Sequence, residues 1–340
     1  MSHYFNLILP LLIGFSFLSA GNPLILMEEL PNDPATISVH VPTIEEIAPN
    51  QLVAAWWGGL EQGAENVKIW FSKNQDGIWC KPIPIASSDE IDPENKTPCW
   101  DPVLYKHTKT KKLFLFYKIG PSPREWSGFM KVSSDNGTAW SKATTLPPGI
   151  LGPTKNKPLL LPDGTMLCGS SLERCNQWSC RIESLSIGTQ EAEYNWKEPS
   201  CSLFHEKQIL NVRGRIGITQ PAIFWCTDGR IRMICRSKRL GFLCISTSSN
   251  NGISWAPITE TTLQSNDSAI DAIRLKDGRI LLAYNNLPEG KRYKLDLAIS
   301  PDDGRSWKNI LILDQSKDEN VQICFPSLLQ SADGLVHVLY

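Results

Sequence analysis

The sequence predicts an all-β protein, a six-bladed β-propeller, and three observations carry that prediction. The first is an eight-residue pattern, S-x-D-x-G-x-x-W, in Ser133–Trp140 and Ser300–Trp307, repeated in Ser248–Trp255 with Asn250 in place of Asp. A degenerate copy, SKNQDGIW, ends at Trp79, and Trp196 reads as the end of another. The second is spacing: these tryptophans are 61, 56, 59 and 52 residues apart, a period of about 57. The third is a series of hairpin signals about 30 residues before each box, at Asn50-Gln51, the Lys109 region, Asp163-Gly164, Asp228-Gly229 and Asp277-Gly278, with a sixth at Asp333-Gly334. Six units with room for four short strands each fit radial closure, which removes most sheet edges. Two stacked β-sandwiches are the alternative.

Taken in chain order, Phe5 to Leu18 is an apolar run of signal-peptide length, and Ser19-Ala20-Gly21 suits peptidase cleavage. This assigns residues 1–21 to a signal peptide and 22–340 to the propeller, with secretion or the secretory lumen as destination. The segment before the apolar run holds His3 and no Lys or Arg, so an uncleaved anchor is the competing reading. Strands follow at Leu52 to Trp57, Leu113 to Tyr117, Ile231 to Cys235 and Ile280 to Tyr284. In each box the Asp accepts backbone N–H bonds, the Gly supplies positive φ, and Ser and Trp tie the turn to its blade, so its role is structural. The sixth unit ends after Leu335 to Tyr340, so it contributes two strands and no box, and is incomplete unless Leu24 to Glu28 completes it.

Composition narrows function. Lys plus Arg number 34 and Asp plus Glu 35, a net charge of -1, so no bulk field recruits nucleic acid. Ten cysteines fit an oxidising compartment but lack C-x-x-C pairs, so neither metal nor cofactor is expected. A hairpin about Arg239-Leu240 would set Cys235 opposite Cys244, as a disulfide or as two buried thiols. Asn95, Asn136 and Asn266 head glycosylation sequons.

Pro42, Pro102, Pro158, Pro221 and Pro326 recur in phase, with Ala272 in the sixth place, and are read as opening the inner strands, where a proline loses no ladder bond. The residues before them, His40 to Val41, Asp101, Lys157, Gln220, Asp271 and Phe325, then ring one mouth of the funnel, either as solvated rim groups or as a ligand site.

These turns and segments resemble the BNR/Asp-box sialidase superfamily, especially a sialidase-like branch of bacteria and plants, over residues 25 to 340. The most specific stretches are Ala55-Trp-Trp-Gly-Gly59, Leu115-Phe-Tyr-Lys-Ile-Gly120 with Trp126-Ser-Gly128, Leu146 to Pro153 with Lys155 to Pro158, Ile270-Asp-Ala272 and Asp333 to His337. The resemblance implies a substrate carboxylate held by three arginines, a Tyr nucleophile paired with Glu, and an acid/base Asp. Arg236 and Arg292 match two of the arginines; planar guanidinium forks suit a carboxylate, although either could be a surface ion pair. The first arginine is replaced by His40-Val41-Pro42, the Tyr by Phe325, and expected acids by Gln62, Asn66 and Gln322. Each amide keeps shape and loses an ionisable group.

Two functions follow from that resemblance. One is a secreted, monomeric glycoside hydrolase of exo-sialidase type acting on acidic glycans, with Asp101, Asp271 or His40 moving protons and Arg236, Arg292, Lys157, Gln220, Trp126 and Phe325 binding substrate. The other is a non-catalytic, lectin-like propeller that binds a glycan or glycoconjugate, with Trp126 as a stacking face.

Overall fold

The computed structural model describes residues 11–15, 25–174, 177–188, 193–197, 202–203 and 216–340. The described residues are all-β; their one helical turn is the 3-10 turn Ser88–Glu90. The chain divides into two compact units, Met1–Thr145 with Pro326–Tyr340, and Leu146–Phe325.

Three antiparallel sheets build the first unit. One runs through Ser38–Ala48, Gln51–Gly59 and Lys68–Gln75, with Ile78–Trp79 and Ile83–Ala86 both pairing with the last. The second is Cys99–Lys106, Leu113–Ile119, Ser127–Ser133 and Thr144–Thr145. The third brings the chain's two ends together in the order Ser327–Gln330, Val336–Leu339, Leu11–Phe15, Ile25–Glu29. Ile25–Glu29 thus joins the sheet through Leu11–Phe15, a strand inside the segment assigned above to a signal peptide; the rest of residues 1–21 lies outside the described residues.

In the second unit a nine-stranded sheet joins two meanders. Leu159–Leu160, Met166–Arg174 and Gln177–Ile187 form one, and Ile216–Trp225, Ile231–Lys238, Phe242–Ser248 and Thr259–Gln264 the other. They meet through a short parallel pairing of Gln177 and Trp178 with Ile216 and Gly217. A further sheet holds Asp271–Arg274, Ile280–Tyr284, Lys294–Ser300 and Lys308–Gln315.

The central strands are continuous apolar runs because both faces are covered. Leu52 to Trp57, Leu113 to Tyr117 and Ile280 to Tyr284 are buried throughout. In the first unit Trp56, Trp70 and Trp79 pack with Ile44, Leu52 and Leu339. In the second, one cluster gathers Leu167, Ile182, Met233 and Cys235, and another Phe224, Ile270, Leu282 and Tyr284.

The repeated turn has one hydrogen-bond plan. Ser133 Oγ donates to Asp135 Oδ1 and accepts from Gly137 N, while Asp135 Oδ1 accepts from Thr138 N and Ala139 N. Ser300, Asp302 and Gly304 reproduce it, and Ser248 with Asn250 and Gly252 shows that an amide oxygen suffices. Trp255 and Trp307 each donate Nε1–H to the carbonyl of their own box glycine. The glycines are needed for two reasons. Their φ values, 80°, 82° and 85°, lie in the left-handed region, and a Cβ on Gly137 or Gly252 would meet Phe71 or Leu167 at 2.6 Å. At Trp79 the degenerate copy keeps only an Asn74 turn, and Trp196 lies in the strand Tyr194–Lys197, so that position carries no box. The second hairpin series stands at its expected positions, with Asp163, Asp228, Asp277 and Asp333 each accepting from the backbone two residues on.

The proline reading needs correction. Pro42, Pro102 and Pro221 lie inside Ser38–Ala48, Cys99–Lys106 and Ile216–Trp225, at register shifts between His40 and Thr43, Trp100 and Val103, and Thr219 and Ala222. A bulge accommodates the missing N–H as well as a strand start does. The residues before these prolines, Val41, Asp101 and Gln220, have φ of 51°, 40° and 52°, and Phe325 before Pro326 has 60°. Left-handed backbone at non-glycine residues costs about 1–3 kcal/mol each and collects at functional positions. Lys157 departs from the series: the left-handed residue in its loop is Lys155.

Cys235 and Cys244 are register partners as the hairpin requires, and both are buried thiols with no disulfide between them. Cys175 and Cys201 lie outside the described residues. Asn266 is 2% exposed, and its amide donates to the Lys291 carbonyl, so the folded sequon cannot carry a glycan. Among the described residues no helix is long and apolar enough to cross a membrane, and no cluster of three His, Cys, Asp or Glu could hold a metal.

Candidate functional site

Arg236 and Lys238 are two residues apart on the strand Ile231–Lys238, so they project to the same side. The strand runs past the Ile231 to Cys235 stretch expected from the sequence and so includes Arg236. Its guanidinium stands 5.0 Å from the Trp178 ring centre and the Lys238 ammonium 4.9 Å, both within cation-π range. Arg236 also reaches the Phe325 ring, at 5.7 Å, and Arg292 approaches that same ring at 5.5 Å. Two arginines far apart in sequence thus converge on one phenyl group.

Arg292 is held by its surroundings. Its Nη2 donates to the Asp267 carbonyl at 3.0 Å and its Nη1 reaches Gln322 Oε1 at 3.5 Å. Burial pushes the Cys324 thiol up, although the Arg292 charge pulls the other way, so beside the arginines it remains a neutral group. Arg236 is 7% exposed, so its charge is largely taken out of bulk water. Such a pair favours an anion with two oxygens.

The other predicted residues of the second unit, Gln220, Asp271 and Lys157, lie on its strands and loops. Gln220 follows Thr219, the register partner of Arg236; its N–H donates to Ser171 Oγ at 2.7 Å and its carbonyl accepts from Asn156 Nδ2 at 2.9 Å. Asp271 is buried at the head of Asp271–Arg274 and accepts from Ala272 N–H at 2.8 Å. Lys157 is half-buried before Leu159–Leu160.

His40, Asp101 and Trp126 belong to the first unit. His40 lies 5.7 Å from the Trp57 ring and accepts at Nδ1 from Val41 N–H. Trp57 meets Trp100 at 6.5 Å, and Trp100 meets Trp126 at 6.4 Å, each edge to face. His40 and Trp126 are therefore the ends of an aromatic row, with Asp101 next in chain to Trp100. Trp126 is half-buried, so only part of its ring is open for stacking.

Sequence reasoning missed Trp178, Lys238 and Asp267. A signal existed for Trp178, which falls outside the periodic tryptophan series and hence had no turn to serve.

A family model described as a BNR repeat-like domain matches residues 50–338. The chain belongs to this BNR repeat-like family. Solved structures, sialidases among them, share its fold. The NanB sialidase of Streptococcus pneumoniae aligns with TM-score 0.65 at 11% identity, covering 89% of this chain and 65% of that one. The intramolecular trans-sialidase of Ruminococcus gnavus, solved with oseltamivir carboxylate, gives 0.60 at 11% identity, covering 88% and 90%. A protein of unknown function from Dyadobacter fermentans gives 0.65 at 14%, covering 91% and 96%. At these identities the likeness is one of fold. No curated protein matches the BNR chain in sequence.

Proposed function

We propose that this BNR-family protein is a secreted, monomeric six-bladed propeller that binds the carboxylate of an acidic, sialic-acid-type glycan between Arg236 and Arg292. The observation that carries this reading is the approach of both guanidiniums to Phe325. A carboxylate bridging them would accept charge-assisted hydrogen bonds from both forks. The phenyl ring offers no oxygen for a glycosyl-enzyme bond, and Gln322 no carboxylate to activate one, so binding without the tyrosyl route of hydrolysis fits best.

Hydrolysis is the second reading, favoured by the fold shared with sialidases and by the buried carboxylates Asp271 and Asp101, with His40 as a further proton carrier. Lys157, Gln220 and Trp126 serve as binding groups in both readings.

Calorimetry with a sialylated oligosaccharide, paired with turnover of a fluorogenic aryl sialoside, tests the proposal. Binding without turnover, weakened about ten- to a hundredfold by Arg292→Ala, is the expected result. Robust turnover would establish the hydrolytic reading, and binding indifferent to Arg292→Ala would remove the arginine pair from the site.

A further inference from the structure

Four hairpin turns of the repeat share one plan. A glycine donates its N–H back to the first carbonyl of the turn, Gly164 to Leu161, Gly229 to Cys226, Gly278 to Leu275 and Gly334 to Ser331, at 2.9–3.2 Å. Their φ values, 96°, 80°, 90° and 93°, are left-handed, and the Asp before each glycine accepts from the backbone.

The turn between Cys99–Lys106 and Leu113–Ile119 departs from that plan. His107 N–H donates to the Lys112 carbonyl and Lys111 N–H to the His107 carbonyl, both at 2.9 Å, so the turn is one residue longer and Lys111 stands where the others have glycine. Its φ is 59°, a conformation that strains a lysine and not a glycine. The acceptor is no carboxylate: the buried His107 takes that part, accepting at Nδ1 from Thr110 N–H at 3.2 Å, with its ring edge to face on Phe114.

Charge departs in the same place. Lys106, Lys109, Lys111 and Lys112 fall within seven residues, and no acid occurs between Asp101 and Glu125. Thr108 to Lys111 are exposed. Lys106 Nζ donates to the Lys111 carbonyl at 2.5 Å and also to Asn136 Oδ1. Burial, and after it the charge of Lys111, hold the Lys106 ammonium below its ordinary range against the pull of Glu45. Lys73 reaches the same box turn, donating to Thr138 Oγ1 at 2.8 Å. Like charges are therefore crowded on a strained turn that Asp-Gly closes elsewhere in the chain, and a local rule broken without a gain in stability marks a functional position.

The neighbours set the shape of the anion that such a turn would take. Glu45 Oε2 accepts from Lys106 N–H, and the next residue, Glu46, accepts from Asn50 N–H and Ala332 N–H in the turns of two other sheets, with Asp333 following Ala332. A bilayer or a nucleic-acid duplex is broad enough to lie on these carboxylates as well as on the lysines. Residues 106–112 hold no large apolar side chain to enter a bilayer and no Phe, Tyr or Trp to stack on a base. A thin, flexible polyanion can contact the lysines alone.

We infer that the Lys106–Lys112 hairpin is a docking site for a sulfated polysaccharide chain. It stands at the other end of its strand from Asp101, roughly 16 Å away at about 3.3 Å per residue. It does not depend on the reading of Arg236 and Arg292.

Equilibrium binding of the full chain tests this with four probes at one low ionic strength: dextran sulfate, unsulfated dextran, a DNA duplex and phosphatidylcholine vesicles containing phosphatidylglycerol. Dextran sulfate binds about tenfold or more tighter than the duplex or the vesicles, weakens as salt is added, and unsulfated dextran does not bind. The triple variant Lys109→Gln, Lys111→Gly and Lys112→Gln loses about tenfold or more of the dextran sulfate affinity. Lys111→Gly alone weakens binding while raising the urea midpoint, which separates lost charge from lost fold. No binding of dextran sulfate, or binding that the triple variant keeps, overturns the inference. Equal or tighter binding of the duplex or the vesicles overturns the polysaccharide as partner. A lower urea midpoint in Lys111→Gly assigns Lys111 to the fold and overturns the inference as well.

Discussion

The guanidinium of Arg236 lies 5.0 Å from the centre of the Trp178 indole, a residue that no repeat of the sequence singles out. Trp178 is 5% exposed and carries Lys238 as well, so it sets the direction of both cations. Removing it should cost about 3–5 kcal/mol of stability by truncation of a buried aromatic. Trp178→Phe should keep most of the packing and part of the cation-π attraction. Denaturant unfolding together with sialyllactose binding should show Trp178→Phe weakened in binding more than in stability. Unchanged binding in Trp178→Phe would make the residue only a core filler.

Phe325→Tyr should not create a sialidase. The new phenol would stand beside two guanidiniums, where its ionised form is favoured, but Gln322 has no carboxylate to take its proton. Phe325→Tyr with Gln322→Glu supplies both groups, and adding Asn66→Asp restores a second of the three expected acids. The comparison is kcat/KM on an aryl sialoside, with no gain in the single variant and measurable turnover only in the combined ones.

The box glycines separate backbone strain from packing. Gly77 and Gly137 share a left-handed φ, at 85° and 80°, yet a Cβ meets nothing within 4 Å at Gly77 and Phe71 at 2.6 Å at Gly137. Gly77→Ala should cost about 1 kcal/mol for the conformation alone. Gly137→Ala should cost about 1–3 kcal/mol more, because a packed ring must move. Urea midpoints of the two variants measure the difference.

Two carboxylates impose opposite pH dependences. Burial alone would raise Asp302, but hydrogen bonds from Ser306, Ser300 and the Arg305 N–H bring it to about 2. Its folded value is depressed, so its contribution is complete above the ordinary 3.8 and is lost as pH falls toward about 2. Burial raises Glu183 above its ordinary 4.5, against hydrogen bonds from Ser170, Leu151 and Gly152. Its contribution is fullest below that value and is lost as pH rises through the folded pKa. Stability against pH should therefore lose acid sensitivity between about pH 4 and 2 in Asp302→Asn, and lose part of the decline above about pH 4.5 in Glu183→Gln.

The N-terminus offers a direct measurement. Cleavage near Gly21 would remove Leu11–Phe15, which lies between Val336–Leu339 and Ile25–Glu29 in the sheet. N-terminal sequencing of protein from a secreting host should find a start near Gly21, with Ile25–Glu29 moving beside Val336–Leu339. Retention of residues 11–15 would assign that strand to the folded protein and set aside the signal-peptide reading.

The turns were legible in the sequence because their chemistry is local. Ser300, Asp302 and Gly304 satisfy one another within a few residues, so the same eight-letter pattern reappears wherever the turn does. The all-β class followed from them and from runs such as Leu113 to Tyr117, which fit strands covered on both faces. Arg236 and Arg292 were singled out by resemblance, since nothing local distinguishes a binding arginine from a surface one. Tertiary structure alone decided that both approach Phe325, that Trp178 orients Arg236, and that Pro42, Pro102 and Pro221 sit in bulges within their strands. Those outcomes depend on which distant strands lie side by side and in what register, a matter of packing free energy summed over many residues. A local pattern encodes its own hydrogen bonds, and it carries no record of the distant ring against which a side chain comes to rest.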